Sequence, residues 1–363
     1  MQNTSGTKIM TEGKVKKLIL QFAIPIFFSQ LFQQLYNTAD SLIVGRYLGK
    51  GPLAAVSSSG PLIFLLVSFF TGTAAGAGVV ISRYFGAKDE ERVGRAVHTN
   101  VAFGLVAGLV VTVIGVAFTP AILKIMKTDP SVLPDSIAYF RYYFLGVLAN
   151  VMYNIFTSIM NAVGDSRRPM VYLIFSSVLN ILLDLLFIGV FHLGVAWAAI
   201  ATTISQLVSA LLCLKRLLKK GTVYQVSFGK VRFHRDMLQE ILKYGLPTGV
   251  QNSVIGLANV ILQSNINSFG EDAMAGYGSY VKLEGFAFLP ITCFSMAMTT
   301  FIGQNLGAGQ YDRAKEGARF GIVMSLLLAE TIGLIMFLFV PSLIKMFNAD
   351  PEVVRLGTRQ GRT

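Results

Sequence analysis

Between Phe22 and Gly45 the sequence FAIPIFFSQLFQQLYNTADSLIVG sets Gln30, Gln33, Gln34, Asn37 and Asp40 three or four residues apart. The run is otherwise apolar and long enough to cross a bilayer. That spacing gathers the amides and the carboxylate on one side of a helix. An ionised group facing hydrocarbon costs at least roughly 2.5–3.5 kcal/mol on insertion scales, so this side must look into protein or a water-filled cavity. Farther on, NILLD places Asn180 and Asp184 one turn apart on a shared face. Asn150, Asn154, Thr157 and Asn161 make a polar stripe at helical spacing, and Asn252, Asn259, Gln263 and Asn267 make another. Lys282, Glu284 and Glu330 are ionisable groups inside apolar stretches and are functional candidates for that reason. Lys282 also reads as a side chain that snorkels or pairs with an acid, and Glu330 has no assigned role. Tyr36, Met152, Tyr153, Met160, Phe286, Met296 and Met298 lie near these stripes. Ring faces and thioethers suit a pocket for flat organic cations, and they suit packing equally well.

The elements that hold these groups are read from composition. The chain has 363 residues, 53% of them hydrophobic and only 14% charged, with a mean hydropathy of +0.60; soluble domains carry about 25% charged residues. The deficit runs along the whole chain, which predicts an all-α polytopic membrane protein. Candidate spans fall near 18–44, 53–82, 97–119, 136–161, 169–191, 195–214, 241–268, 273–304 and 318–340. The first is too long for a signal h-region and lacks a small-residue cleavage site. Basic residues crowd the amino tail (Lys8, Lys14, Lys16, Lys17) and alternate connections, above all 215–243. The positive-inside rule then puts the N-terminus in the cytoplasm, at the cytoplasmic (inner) cell membrane. The net charge of +12 is therefore mostly a topology signal and not a nucleic-acid footprint. Cys213 and Cys293 sit in apolar runs and read as buried thiols. The three histidines have no metal-ligand spacing, and no phosphate-binding loop motif is present. No metal or organic cofactor is expected.

The chain also repeats itself. Pro25 in FAIPIFF has a counterpart in Pro247 of YGLPTGV. RYFGAKDEERVGRA matches NLGAGQYDRAKEGA with Gly86 over Gly307 and Arg92 over Arg313. FTPAILKIMKTDPSVL matches FVPSLIKMFNADPEVV with Pro120 over Pro341 and Asp129 over Asp350. An even number of spans separates the copies, so the repeats are parallel, as in some secondary transporters. This predicts a six-helix lobe over 1–214, a cytoplasmic basic linker over 215–240, and a partial second lobe of three helices over 241–363. Symmetry would call for three more spans. Their absence is expected to reflect truncation after the ninth helix, the favoured reading, or completion of the second lobe by another chain.

AIPIFFSQLFQQLYNTADSLIVGRYLG, NAVGDSRRPM (161–170), NILLDLLFI (180–188) and GQNLGAGQYDRAKEG (303–317), in this order and topology, resemble the multidrug and toxic compound extrusion (MATE) family of cation-coupled efflux transporters. The resemblance covers about 18–354. It implies a coupling site for Na⁺ or H⁺ at Asp40, Asn180 and Asp184. Two carboxylates and an amide facing one cavity can hold a proton or a cation, although a buried Asp can also simply cap amides. Thr202 and Thr203, with Gln206, either add oxygens or bond between helices. Gln34, Tyr36, Asn37, Asn154, Gln263 and Glu284 are the candidate substrate-cavity residues. The expected function is export of small organic cations across the lipid bilayer by a non-enzymatic antiporter, monomeric if full length. A lipid-linked oligosaccharide flippase and an inactive fragment are the alternatives. A flippase would call for a more cationic cavity, whereas the early spans here carry acids.

Overall fold

The computed structural model describes residues 9–49, 72–125, 133–267, 271–345 and 350–362. The stretch 53–71 of the second expected span lies outside them, as do the side chains of Gln263, Asn267 and Lys282. Ten α-helices are described: α1 (Val15–Tyr47), α2 (72–86), α3 (Glu90–Ile125), α4 (Leu133–Ala162), α5 (Arg167–Asp184), α6 (Ala196–Leu217), α7 (Arg235–Asn267), α8 (Glu271–Gly307), α9 (Tyr311–Lys345) and α10 (Pro351–Arg362). No strand occurs among the described residues. Among the described residues, seven helices are long and apolar enough to cross a membrane: α1, α3, α4, α5 with its continuation, α6, α8 and α9. Helix α7 has the length but is diluted by Gln251, Asn252, Asn259 and Gln263. The α10 helix is short, is not announced by the apolar pattern, and packs on α8 and α9 through Val354 against Leu283, Val340 and Ile344.

The main core lies among α2 to α6, where Phe140, Phe144, Ile155 and Ile159 of α4 are fully enclosed. Helix α1 packs against both α5 and α8. Its first turns bury Leu18, Ile19, Phe22 and Ile26 against Cys293, Phe294, Ala297 and Phe301 of α8. The motif NAVGDSRRPM is a structural corner. Gly164, at φ 84°, ends α4. The buried Asp165 then receives the backbone N–H of Arg168 and pairs with its guanidinium at the start of α5.

The segment after α6 is docked, not a free tether. Tyr224 and Val226 are buried, and Val226 N–H bonds the Leu217 carbonyl at 2.8 Å. The Arg216 guanidinium donates to the Tyr224 hydroxyl at 3.1 Å. Arg95 of α3 pairs with Asp236 at 2.7 Å, and Tyr84 of α2 donates to Glu240. His234 sits against Thr99, and its pKa is held below the usual value by desolvation first, then by the neighbouring Arg232 and Arg95.

Helices α2 and α8 cross with backbones touching. A Cβ added at Gly86 would lie 1.9 Å from the Gln304 carbonyl oxygen, and one at Gly307 would lie 1.8 Å from that of Arg83. With Gly86 aligned on Gly307, Arg83 falls on Gln304, so the two contacts are repeat images of each other. Farther along α2, Gly72 meets Gly249 and Gly76 meets Gly245 of α7. The same end of the bundle is laced by the residues preceding α1. Met10 N–H donates to Gln304 Oε1 at 2.9 Å, and the Met10 carbonyl accepts from Asn305 at 3.2 Å and Arg313 at 3.3 Å. Gln304 Nε2 also donates to the Ala162 carbonyl at 2.8 Å, so one fully buried amide joins three parts of the chain. Gln304→Ala strands a buried N–H and a buried C=O. A loss of about 2–6 kcal/mol is expected, given about 1–3 kcal/mol for each unsatisfied group. Thermal unfolding, with proteolytic sensitivity of residues 1–14, checks it; an unchanged midpoint with an intact tail counts against this bridge.

Candidate functional site

Asp40 of α1 and Asp184 of α5 are both buried, at 7% and 0% exposure, where α1, α5 and α6 meet. Asn180, one turn before Asp184, is 1% exposed and donates through Nδ2 to Thr202 Oγ1 of α6 at 3.4 Å. Gln206, one turn beyond Thr202, donates to the Tyr36 hydroxyl at 2.9 Å. Tyr36 lies one turn before Asp40 on α1 and is buried. These bonds link α5 to α6 and α6 to α1, and the side chains form one cluster across three helices. Oxygens inside it have no hydrogen-bond partner: one of Asp40, both of Asp184, and the amide oxygens of Asn180 and Gln206. Buried oxygens are nearly always satisfied, so a pooled set of them needs an explanation. They are acceptors without donors, and a proton or an oxygen-seeking cation supplies what is missing.

Local structure accounts for part of the geometry. Ser177, Asn180 and Asp184 share one face of α5. Immediately after Asp184 the helix widens into a π turn over Leu185–Val190, of the kind that recurs at functional sites. Phe187 of that turn packs edge-on against Trp197 at the start of α6, with ring centroids 5.1 Å apart.

The other candidates are more dispersed. Asn37 is exposed and Gln30, Gln33 and Gln34 are half-buried, while Asp40 points into the bundle. The polar side of α1 is therefore divided between an open surface and the acid cluster. Gln34 approaches α8, with its Nε2 3.3 Å from where a Cβ of Gly285 would stand. Glu284, the residue before Gly285, is half-buried, and the buried Tyr277 and half-buried Tyr280 share its face of α8. Asn154 donates to the carbonyl and side chain of Asn150 within α4. Tyr36 belongs with the buried acids and not with the open surface. Met152, Tyr153, Met160 and Met298 are buried in packing, whereas Met296 is exposed. Glu330 is exposed on α9.

Tyr139 of α4 has no place in the sequence reading. It is 5% exposed and stacks on Tyr143 in the core formed by α2 to α6. In sequence it is one tyrosine among several in YFRYYF, and only tertiary adjacency separates it from its neighbours.

Membrane-length helices enclosing a buried acid pair define an all-α polytopic membrane protein. A family model described as MatE matches residues 25–186 and 247–362, and the chain belongs to that family. It is 30% identical over 369 residues to the probable multidrug resistance protein YoeA of Bacillus subtilis, a match spanning 98% of this chain and 79% of that protein. It is 27% identical to the probable multidrug resistance protein NorM of Thermotoga maritima, spanning 94% of this chain and 74% of that one. Among solved structures, a multidrug resistance MATE family transporter in an outward-facing conformation superposes with a TM-score of 0.92 at 25% identity, covering all of this chain and 81% of that one. A MATE structure in a bent conformation gives 0.89 at 26%, covering 100% and 80%.

Proposed function

We propose that this chain is a secondary antiporter that exports small organic cations in exchange for Na⁺ or H⁺ by alternating access. The multidrug resistance relatives support drug export. The observation that carries the coupling is the cluster of Asp40, Asn180, Asp184, Thr202 and Gln206 with its buried, unpartnered oxygens. Protonation or cation binding there changes the charge of the α1–α5–α6 junction. A ligand shifts a conformational equilibrium only through unequal affinity for its states, and a buried site open to one side at a time provides that inequality. Residues 1–214 form the ion-coupled lobe, 215–240 the linker, and 241–363 a partial second lobe of three helices. The N-terminus and linker face the cytoplasm, and the protein acts in the cytoplasmic membrane, as a monomer when full length. Gln34 of α1, packed near Gly285 of α8, and Glu284 line the path of the cargo. The acids give the site the polarity for cationic cargo, which favours this reading over an oligosaccharide flippase.

The test is efflux of an ethidium-type cation from proteoliposomes under separate Na⁺ and H⁺ gradients. Asp40→Asn is expected to remove the gradient-driven component and leave passive leak. Undiminished gradient-driven efflux by that variant overturns the assignment.

A further inference from the structure

A cavity of about 720 Å³ opens where the first turns of α3 meet the segment that follows α6. Both imidazoles in its wall are already committed. His98 Nδ1 bonds the Gly94 carbonyl at 2.6 Å, and His98 Nε2 accepts the Ser227 N–H at 3.0 Å. His234 Nδ1 lies 3.1 Å from Thr99 Oγ1, and its Nε2 accepts from Arg232 Nε at 3.3 Å. Arg95 is engaged by Asp236. Two cations remain. Lys230 makes no side-chain hydrogen bond or ion pair among the described residues, and Arg232 gives up only Nε, leaving its terminal NH₂ groups for a ligand. Two aromatic rings flank them in Phe228-Gly229-Lys230-Val231-Arg232-Phe233. Phe228 and Phe233 are 68% and 47% exposed, beside the exposed Gly229, Lys230 and Arg232 and outside the cavity wall itself. Glu90 and Glu91 on the α3 side of the cavity repel any anion, a dianion more than a monoanion.

We infer that this cavity binds the phosphate of a membrane phospholipid headgroup, held by Lys230 and Arg232, with Phe228 and Phe233 set against the roots of the acyl chains. Basic pockets at the ends of membrane helices take anionic headgroups, and amphipathic rings collect at the same level. A free phosphate meets the same two cations but makes no use of exposed rings, which is why the lipid is the assigned source.

The experiment is thermal unfolding of the purified 363-residue chain in neutral detergent, read by Trp197 fluorescence. It is titrated with dioleoyl phosphatidylglycerol, with dioleoylglycerol, and with inorganic phosphate at matched ionic strength. Phosphatidylglycerol is expected to raise the midpoint saturably, and the other two are not. Lys230→Gln/Arg232→Gln is expected to need roughly tenfold more lipid, or worse, for half the effect, on about 1 kcal/mol per basic residue. Lys14→Gln/Lys17→Gln removes the same charge elsewhere and keeps the wild-type response. Native mass spectrometry counts retained lipid independently of stability. An equal rise with inorganic phosphate or dioleoylglycerol overturns the inference, and so does a double variant that retains lipid as wild type does.

Discussion

Asp184→Leu is expected to yield a chain that unfolds at a higher temperature and no longer answers an ion gradient. Asp184 is fully buried and neither of its carboxylate oxygens has a hydrogen-bond partner. Such a group costs stability, and an apolar side chain of compatible size removes the cost. The gain should be about 1–3 kcal/mol, the range for leaving a buried polar group unpaired. Buried ionic groups replaced by packed apolar ones often show this sign. The proposed coupling cluster meanwhile loses two of its acceptors. Asp184→Asn separates the two effects: it keeps the shape, removes the charge, and should abolish gradient-driven efflux with a smaller thermal change. Trp197 reports unfolding from next to the site through its contact with Phe187. Retained coupling in both variants, or marked destabilisation by the leucine, would show that Asp184 is a structural acid with partners of its own. Sites that trade stability for function behave in the predicted way.

Gly86→Ala should have the opposite character, with large destabilisation from the addition of one methyl group. The new Cβ would stand 1.9 Å from the Gln304 carbonyl oxygen and 2.6 Å from its carbon. Both are backbone atoms on α8, so no rotamer change relieves the contact and the helices must part. Overpacking costs about 1–3 kcal/mol even where side chains can adjust, and a loss at or above the top of that range is expected here. Gly307→Ala should match it, because its Cβ would meet the Arg83 carbonyl at 1.8 Å. The controls are Gly94→Ala and Gly278→Ala, helical positions with nothing within 4 Å of the added atom. These should be neutral or slightly stabilising, since alanine is the better helix former by about 1 kcal/mol. Thermal midpoints of the four variants decide the matter. If Gly86→Ala and Gly307→Ala melt with their controls, the crossing of α2 and α8 is looser than described.

Much of this architecture was open to reading from residues alone because a membrane penalises the wrong ones. Asp40, Asn180 and Asp184 stood out since a carboxylate in an apolar helix has few tolerable surroundings. The repeat exposed Gly86 and Gly307 as counterparts, yet nothing in the pattern says that they meet across α2 and α8. The side of α1 was read too simply. Gln34 and Asp40 are six residues apart, roughly 120° around a helix, which is wide enough to serve two environments. The pairing of Gln206 with Tyr36 was hidden for another reason: tyrosines and glutamines on apolar helices look like packing until a neighbouring helix supplies the partner. The docked segment after α6 was masked by its own charge, because Lys219, Lys220, Lys230 and Arg232 drew attention away from the buried Tyr224 and Val226.

The lacing of Met10 also sets an order of events during synthesis. Its partner Gln304 lies 294 residues later in the chain. At about 5–20 residues per second, the ribosome needs roughly 15–60 seconds to deliver it. Until then the leading residues wait undocked while five or more helices insert. A bulky fusion placed directly ahead of Met10 would therefore burden the last step of assembly and not the first, and it should show up as slow maturation of chains that have already inserted.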